Sequence, residues 1–463
     1  MDSGKLNSVY SGRAHPVPQG AMPVIRPAAR ILTVAFRAAC FATCSNVLPM
    51  PPAAAAELMS AAHASIRAAE AGQHVMTLAD DAFEGREGGT RGGRAAGTYI
   101  VEQLQKLGLE PAGDDGSFYQ SFGGMRNILG LLRGSDPDAA RELVVVGAHY
   151  DHVGYGNAAT SYGPFGYVHN GADDNASGVA GLLEVAGALE HLPQRPRRSI
   201  LIAFWDGEEK GLLGSYHFVR VKPAALAGLK TVFSLNLDMI GRLRGRRLEV
   251  YGARTSPDLR AAVVQANTDP AIRAGLELAF DWDIADDSDH YPFIAAGIPT
   301  VMFHTGLHDQ YHRPSDDVHL VNLDGIEPVA RLTLGLVTML ADEPGPPRPF
   351  RQQCRAESNA TKRLLEAIAP EPVTAQRGRW GIGSRPDPGE PSTPVIVRVS
   401  PGSPAAIGGL RPGDRLVTVD GAAIASQEDM LARLRDAGNS VTLEVDRRGL
   451  LVHVTMTNGQ SVQ

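Results

Sequence analysis

Histidine and carboxylate residues recur at the ends of the predicted strands of this chain. They occupy five successive segments, each of which follows an apolar strand or opens the next helix: His149 and Asp151, Asp173 and Asp174, Glu208 and Glu209, Asp238, and Tyr311 and His312. One such segment would be weak evidence, because aspartate also caps helices and paired glutamates also form solvated turns. Five in succession are improbable by chance, and they predict one shared functional site.

These residue types favour a metal centre. Imidazole nitrogen and carboxylate oxygen are common zinc ligands, and two histidines with several carboxylates fit a pair of zinc ions bridged by one carboxylate. Asp151 lies two residues after His149, where it can accept the other ring N–H of that imidazole. The HExxH, GxSxG and phosphate-loop motifs are absent from the sequence, so a zincin, a nucleophile-elbow hydrolase and a phosphate-loop enzyme are not predicted.

The composition is that of a globular protein without a nucleic-acid surface. The 463 residues are 43% hydrophobic and 21% charged, with a formal net charge of −7 and 6% aromatic residues. Neither a basic patch nor a set of aromatic stacking platforms is indicated. Of the three cysteines, Cys40 and Cys44 lie near the N-terminus and Cys354 stands alone, so we expect neither a disulfide framework nor a thiolate zinc site.

The elements that must position the site residues alternate between strand and helix over residues 57–342. Apolar runs such as LVVVGA, ILIAFW, VFSLNL and TVMFH predict strands, and ASGVAGLLEVAGALEHL predicts a helix. This alternation predicts an α/β domain with a mixed, largely parallel sheet flanked by helices. The carboxyl ends of neighbouring parallel strands meet at one edge of such a sheet, where functional groups gather.

Two further segments follow this domain. Residues 343–370 contain the proline-rich run DEPGPPRPF and are predicted to be a linker. Residues 371–463 alternate short apolar runs with glycine- and proline-containing turns around one helical stretch. This pattern predicts a second, small β-rich domain at the C-terminal end of the sequence.

Residues 1–56 have the features of a targeting segment. Arg26 and Arg30 precede the apolar stretch ILTVAFRAACFATCSNVLPM, and the alanine-rich PPAAAAE offers a cleavage site near Ala56. We therefore expect an exported protein, periplasmic or secreted, with a disordered tail or a lipoprotein anchored through Cys40 or Cys44 as alternatives. No other apolar stretch reaches 18 residues, so no transmembrane helix is expected.

Six motifs, in order along the chain, carry a resemblance to a known family. They are GAHYDHVG, NGADDNASG, GEEKGLLGS, NLDMIGR, SDHYPF and YHRPSDD, and with the segment upstream they span about residues 70–342. This part of the chain resembles metallopeptidase family 28, the co-catalytic zinc exopeptidases that include bacterial secreted aminopeptidases. The resemblance implies a zinc exopeptidase fold, two zinc ions per chain, and removal of N-terminal residues from peptides.

The resemblance also implies a role for each site residue. Asp151 would orient a ligand histidine, Glu208 would be the general base that activates water, and Tyr311 would stabilise the oxyanion. The peptide bond after Asp174 is often cis in this family. Five residues would be metal ligands, with Asp174 bridging the two ions: His149, Asp174, Glu209, Asp238 and His312.

The C-terminal domain resembles a bacterial-type PDZ domain. The motifs are GRWGIGSRPDPG and VSPGSPAAIGGLRPGDRLVTVDG, followed by a helix. Such domains bind a peptide strand or a protein C-terminus at a sheet edge, with a glycine-containing loop that holds the carboxylate. Here the loop would lie near residues 380–383, and Ser384 in its last position departs from the usual pattern. A domain that only packs against the catalytic domain is the alternative.

Three other functions stay open on this sequence. A carboxypeptidase of the same clan would need arginines for the substrate carboxylate, and Arg242, Arg244 and Arg313 lie close to the motifs. A glutaminyl cyclase-like enzyme is a second alternative, although the cyclases use one zinc ion and depart from the ligand set found here. A non-catalytic scaffold that acts through the PDZ-like domain is the third, and the complete ligand set disfavours it.

Overall fold

A mixed sheet forms the centre of the larger domain. The structure, a computed structural model, describes residues 52–373 and 378–458. The strands of this sheet are β1 (Glu110–Pro111), β2 (Tyr119–Phe122), β3 (Met125–Leu132), β4 (Glu142–His149), β5 (Ser199–Trp205), β6 (Lys230–Leu237), β7 (Arg247–Tyr251), β8 (Glu277–Phe280) and β9 (Thr300–His304). In the described residues the order is β1-β3-β5-β4-β6-β9-β7-β8, with β2 paired to β3.

The central strands β5, β4, β6 and β9 run parallel, whereas β3 and β7 flank them in the antiparallel direction. Alternate residues of β4 point to opposite faces, so that Val144 and Val146 pack into one apolar cluster and Val145 into another. Burial on both faces explains why this strand reads as a continuous apolar run and not as an alternating one. The mixed, largely parallel sheet predicted from the sequence is confirmed.

Helices cover both faces of the sheet. On the face of Val145, Phe218 of α5 and Phe293 of α7 complete the apolar cluster, and the other helices pack on the opposite face. Helix α4 is buried along nearly its whole length because it packs between the sheet and the helices α2 and α8. The helices of this domain are α1 (Pro52–Ser65), α2 (Ala68–Leu78), α3 (Arg91–Lys106), α4 (Gly178–Glu190), α5 (Leu213–Arg220), α6 (Leu259–Thr268), α7 (His290–Ala295) and α8 (Leu323–Asp342).

The parallel register brings the carboxyl ends of β4, β5 and β6 to one edge of the sheet. His149, the last residue of β4, lies beside Trp205, the last residue of β5. Gly147 of β4 lies beside Asn236 of β6. The segments that carry Glu208 and Asp238 follow β5 and β6, and they therefore begin next to His149.

The smaller domain is built on an antiparallel sheet and follows helix α9 (Asn359–Glu366). Trp380 anchors its core, because the buried indole N–H donates to the Leu434 carbonyl at 2.7 Å. The small β-rich domain predicted from the sequence is thus confirmed. Its elements are β10 (Ile382–Arg385), β11 (Val395–Val399), α10 (Pro404–Ile407), β12 (Arg415–Val419), β13 (Ala422–Ala423), α11 (Gln427–Asp436), β14 (Ser440–Arg447) and β15 (Leu450–Thr457).

Buried arginines of the larger domain form ion pairs with carboxylates of the smaller one. Arg254, in the loop after β7, donates to both carboxylate oxygens of Asp387 at 2.9 Å and also to Glu357. Arg260 of α6 donates to Asp446 of β14 at 2.9 and 2.6 Å. Charges this far from water are held only when they are paired. The two domains therefore share a buried, charge-paired interface.

The hairpin of β14 and β15 covers an edge strand of the larger sheet. The backbone N–H of Leu278 in β8 donates to the Arg448 carbonyl at 2.8 Å, and the Asn267 side chain donates to the Gly449 carbonyl at 2.8 Å. Strand β8 is last in the strand order. The turn of the hairpin therefore satisfies a backbone donor that a bare sheet edge would leave exposed.

Part of the sequence-based prediction concerns residues outside the described ranges. Most of the predicted targeting segment 1–56, with Cys40 and Cys44, lies there. Within the described ranges, Cys354 is a buried free thiol. None of the helices described combines the length and the apolar character that crossing a bilayer requires.

Candidate metal centre

Asp174 lies in the turn Ala172–Ser177, between β4 and α4, and another carboxylate holds its backbone. Asp316 Oδ2 accepts hydrogen bonds from two successive backbone N–H groups, the second of which is that of Asp174, both at 3.0 Å. Asp316 Oδ1 pairs with Arg242 at 3.2 Å. The peptide bond after Asp174 is cis, as the resemblance implied. These contacts fix the carboxylate of Asp174 at the edge of the sheet.

Arg86 fixes the chain just before this turn. Its side chain is fully buried and donates to four backbone carbonyls, of Leu78, Tyr150, Asn170 and Gly171, at 2.7, 3.0, 2.6 and 2.9 Å. The segment before α3, the end of β4 and the start of the Asp174 turn are thereby tied to one guanidinium. A planar fork with several donors suits this task, since each carbonyl needs its own N–H.

One group of potential ligands consists of His149, Asp174 and Asp238. His149 Nε2 lies 3.3 Å from Asp174 Oδ1 and 3.4 Å from Asp238 Oδ1. His149 Nδ1 lies 3.2 Å from the backbone carbonyl oxygen of Asp151 and 3.8 Å from its carboxylate. Asp151 thus contacts His149 as predicted, but the nearer acceptor is its carbonyl. Asp238 Oδ2 accepts from Ser288 at 2.6 Å, which leaves Oδ1 for the group.

Another group consists of His152, Asp174, Glu209 and His312. His312 Nε2 lies 3.2 Å from Asp174 Oδ2 and 3.1 Å from Glu209 Oε2. His312 has a positive φ of 52°, and its carbonyl accepts from the Tyr162 N–H at 3.1 Å and from Ser161 Oγ at 2.8 Å. The loop before the Asp174 turn therefore fixes the position of this histidine.

The donor set fits two divalent cations. Asp174 Oδ2 and Asp238 Oδ1 are buried and form no hydrogen bond within the described residues, although buried acceptors are normally satisfied. The N···O separations of 3.1–3.4 Å in both groups suit ligands that share one cation about 2.0–2.2 Å from each atom. Nitrogen and carboxylate donors without a thiolate suit zinc, with Asp174 common to both positions.

Glu208 lies beside both groups. Its backbone N–H donates to Asp151 Oδ1 at 3.1 Å, and its carboxylate lies within 4.8 Å of ligand atoms of His149 and Glu209. Burial raises the pKa of Glu208 well above its ordinary value, and the neighbouring Glu209 adds to this against the opposing effect of His149. A carboxylate with a raised pKa can accept and hold a proton at neutral pH, as a general base must.

Tyr311 stands next to the ligand His312. The two rings are stacked, with centroids 3.9 Å apart and an interplanar angle of 28°. Burial raises the pKa of Tyr311 above its ordinary value, and the charges of Asp174 and Glu209 raise it further. The hydroxyl therefore stays protonated and can donate a hydrogen bond to an oxygen that becomes negatively charged.

The predicted residues are gathered at this edge of the sheet, but sequence reasoning missed His152 and Asp316. His152 Nδ1 lies 2.8 Å from Glu209 Oε1, and Asp316 holds the Asp174 backbone. Both stand inside the quoted motifs HYDHVG and RPSDD, so proximity to predicted ligands was the available signal. The residues predicted and found together are His149, Asp151, Asp174, Glu208, Glu209, Asp238, Tyr311 and His312.

Two known families match parts of this chain. The model of peptidase family M28 matches residues 127–337, and that of the PDZ domain matches residues 395–447. Aminopeptidase YwaD of Bacillus subtilis is 27% identical over 244 residues, which is 50% of this chain and 49% of that protein. Leucine aminopeptidase 1 of Trichophyton rubrum is 29% identical over 270 residues, 54% of this chain and 68% of that protein. The chain thus spans about half the length of the first of these relatives.

A solved structure has the same fold. The LapA aminopeptidase of Legionella pneumophila superimposes with a TM-score of 0.53 at 19% identity, over 62% of this chain and 76% of that chain. At this identity the likeness concerns the fold alone. The M28 match covers the strand ends, the turn of Asp174 and all the ligand-type residues described above, and the PDZ match follows it. Residues 127–337 thus match peptidase family M28, and residues 395–447 match the PDZ domain.

Proposed function

We propose that the protein is a zinc-dependent aminopeptidase that removes N-terminal residues from peptides with the help of two zinc ions. The observation that carries this proposal is the division of Asp174, whose Oδ1 faces His149 and whose Oδ2 faces His312. One carboxylate shared between two ligand groups is suited to hold two metal ions close together. The match to family M28 and the aminopeptidases among the relatives support the reaction and the substrate class.

The chain's own residues then divide the work of peptide hydrolysis. When bound, the zinc ions supply Lewis acidity, which polarises the scissile carbonyl and lowers the pKa of water towards 7. Glu208 takes a proton from the attacking water and passes it to the amine nitrogen that leaves. The Tyr311 hydroxyl donates to the carbonyl oxygen as negative charge develops there. Asp151 holds both the His149 ring and the Glu208 backbone, so base and ligand keep a fixed relation.

Of the three arginines near the motifs, Arg242 and Arg313 are engaged within the chain, whereas Arg244 is exposed. Arg242 is buried and pairs with Asp316 at 3.2 Å. Arg313 donates to the carbonyls of Tyr162 and Gly163 at 2.9 and 3.1 Å. A carboxypeptidase needs a cation for the terminal carboxylate of its substrate, and both of these guanidinium groups are already engaged within the chain.

The substrate class is tested with one peptide in two forms, with a free N-terminus and N-acetylated. Each form is incubated with zinc-loaded protein, and the products are identified by mass spectrometry. We expect stepwise loss of residues from the free N-terminus only. Shortening of both forms from the C-terminus would establish a carboxypeptidase instead, and no cleavage of either form would contradict a general peptidase.

The role of the base is tested with Glu208→Gln. This change keeps the size of the side chain but removes the proton acceptor, so kcat should fall by at least about 100-fold while the zinc content is unchanged. The matched control is Lys210→Gln on the same turn, which breaks only a half-exposed ion pair with Glu87 and should leave kcat unchanged. Activity that survives in Glu208→Gln would refute the assignment of the base.

We also propose that the protein is exported and that its PDZ domain binds peptide C-termini along β10. The PDZ match and the resemblance of its glycine-containing loop support the second proposal. Gln427 of α11 donates to the Ser384 carbonyl at 3.0 Å and to its hydroxyl at 2.9 Å, so a bound strand would have to displace this side chain. Fluorescence anisotropy with C-terminal peptides tests the binding, and N-terminal sequencing of periplasmic protein tests the export.

A further inference from the structure

His152 is a buried imidazole beside the metal centre without a role in the mechanism above. It follows Asp151 in the motif HYDHVG and is fully buried. Its backbone N–H donates to the Arg86 carbonyl at 3.2 Å. The backbone of Gly171 packs against the ring so closely that an added Cβ there would lie 2.5 Å from the ring atom Cδ2. The ring therefore has one fixed position, with its Nδ1 directed to Glu209.

Glu209 divides its two oxygens between two histidines. Glu209 Oε2 lies 3.1 Å from His312 Nε2 and belongs to the ligand group around Asp174 Oδ2. Glu209 Oε1 lies 2.8 Å from His152 Nδ1, a hydrogen-bonding distance. A carboxylate ligand whose second oxygen accepts a hydrogen bond is fixed in orientation, and such outer contacts strongly affect metal affinity.

We propose that His152 is a positioning residue for the second zinc ion: its Nδ1–H donates to Glu209 Oε1, so that Oε2 alone faces the metal. This inference rests on the proposed function, because it assigns a task towards the zinc ion that Asp174, Glu209 and His312 would hold. It gives the second site an orienting contact that parallels the Asp151 contact to His149 in the first site.

The geometry disfavours His152 as a direct metal ligand. The two proposed ligand histidines present Nε2 to the carboxylates, and His149 directs its Nδ1 to an acceptor on Asp151. His152 presents Nδ1, which is 3.7 Å from Asp174 Oδ2, and its Nε2 is buried without a hydrogen-bond partner in the described residues. The 2.8 Å from Nδ1 to Glu209 Oε1 is a hydrogen-bonding distance, shorter than the N···O separations of 3.1–3.4 Å between the proposed ligands.

The test is a calorimetric titration of metal-free protein with zinc. His152→Ala removes the donor, whereas His152→Asn places a side-chain N–H near the position of Nδ1. We expect His152→Ala to lower the affinity of one zinc site by about 10–100-fold with the other site unchanged, and His152→Asn to restore most of that affinity. His63→Ala is the control for the loss of a buried imidazole, since His63 lies in α1 and lines a cavity with Ile272 and Met339.

Three results would count against the inference. Equal zinc affinity in His152→Ala and the unchanged protein would overturn it alone. Loss of one zinc ion in His152→Asn as complete as in His152→Ala would overturn it in favour of direct ligation by the imidazole. An unchanged protein that binds fewer than two zinc ions would overturn the proposed function itself, which the first two results would not.

Discussion

Asp387 should be critical for stability, although it belongs to the interface between the domains and not to the metal centre. Its carboxylate is buried and accepts from Arg254 with both oxygens at 2.9 Å, from Arg415 at 2.8 Å and from the Gly389 N–H at 2.9 Å. Burial alone would raise the pKa of Asp387, but Arg415 and Arg254 outweigh it and hold the pKa below the ordinary 3.8. The side chain is therefore ionised at neutral pH.

The change Asp387→Ala would leave the two arginines in different situations. Arg254 keeps its two hydrogen bonds to Glu357. Arg415 keeps only Glu366, at 3.5 Å, and its Nε is buried without a hydrogen bond in the described residues. Removing one partner of a buried ion pair costs about 3–5 kcal/mol because the other charge stays buried. We expect a loss of that order in the free energy of unfolding, chiefly through Arg415.

Urea unfolding at pH 7, followed by tryptophan fluorescence, measures this free energy. The double variant Asp387→Leu with Arg415→Met should recover most of the loss, since no unpaired charge remains. Glu366→Gln is the control, because it changes only the distant, partly exposed partner of Arg415. Because its pKa is lowered in the folded protein, Asp387 stabilises the fold at pH values above 3.8, and this contribution is lost as the pH falls below that value. A loss below about 1 kcal/mol in Asp387→Ala at pH 7 would refute the reasoning, because a paired charge this deeply buried should cost more.

Two further predictions concern protonation. In the metal-free protein, burial lowers the pKa values of His149 and His312, but the neighbouring carboxylates outweigh this effect. They raise the pKa of His312 to about 10 and that of His149 well above 6.5. Both rings are therefore protonated at pH 7, and zinc binding should release about two protons. Calorimetry in buffers of different ionisation enthalpy counts these protons, and a count near zero would contradict the assignment. Burial also raises the pKa of Glu390 from 4.5 to about 8 against the opposing effect of Arg415, so its native form holds a proton that the unfolded chain loses, and stability should fall as the pH rises from 5 to 8. The expected fall in the free energy of unfolding is up to about 4 kcal/mol, and Glu390→Gln should abolish it. Thermal unfolding at pH 5 and pH 8 measures the difference. If stability depends on pH equally in both proteins, Glu390 is in contact with water and the prediction is wrong.

The central sheet could be predicted from the sequence because its parallel strands are buried on both faces. Strands β4, β5, β6 and β9 are continuous apolar runs, and such runs carry a local signal. Strands β7 and β8 mix charged and apolar residues, RLEVY and ELAF. Their place at the edge depends on the strand order and on the hairpin of the second domain, which no local pattern encodes.

For the candidate site, the sequence predicts which residues cluster but not which contacts each side chain makes. Residue types at strand ends predict a cluster, because parallel strands deliver their ends to one edge. The partner of each side chain depends on loop geometry, which explains why the contacts of His152 and Asp316 were missed and why Asp151 offers His149 its carbonyl. The interface pair Arg260 and Asp446 joins residues 186 positions apart, and neither residue carries a local signal of the other.

Because the hairpin turn of the smaller domain covers β8, the larger domain cannot be studied simply by truncating the chain. A chain truncated after residue 342 would present a bare strand edge, with the Leu278 N–H open to pairing, and would expose Arg260 without its carboxylate. Exposed edges invite pairing between copies, so such a fragment would aggregate or misfold. Inactivity of the fragment would then report a failure of solubility and not a regulatory task of the PDZ domain. Point changes along β10 in the intact chain are the way to separate peptide capture from structural support.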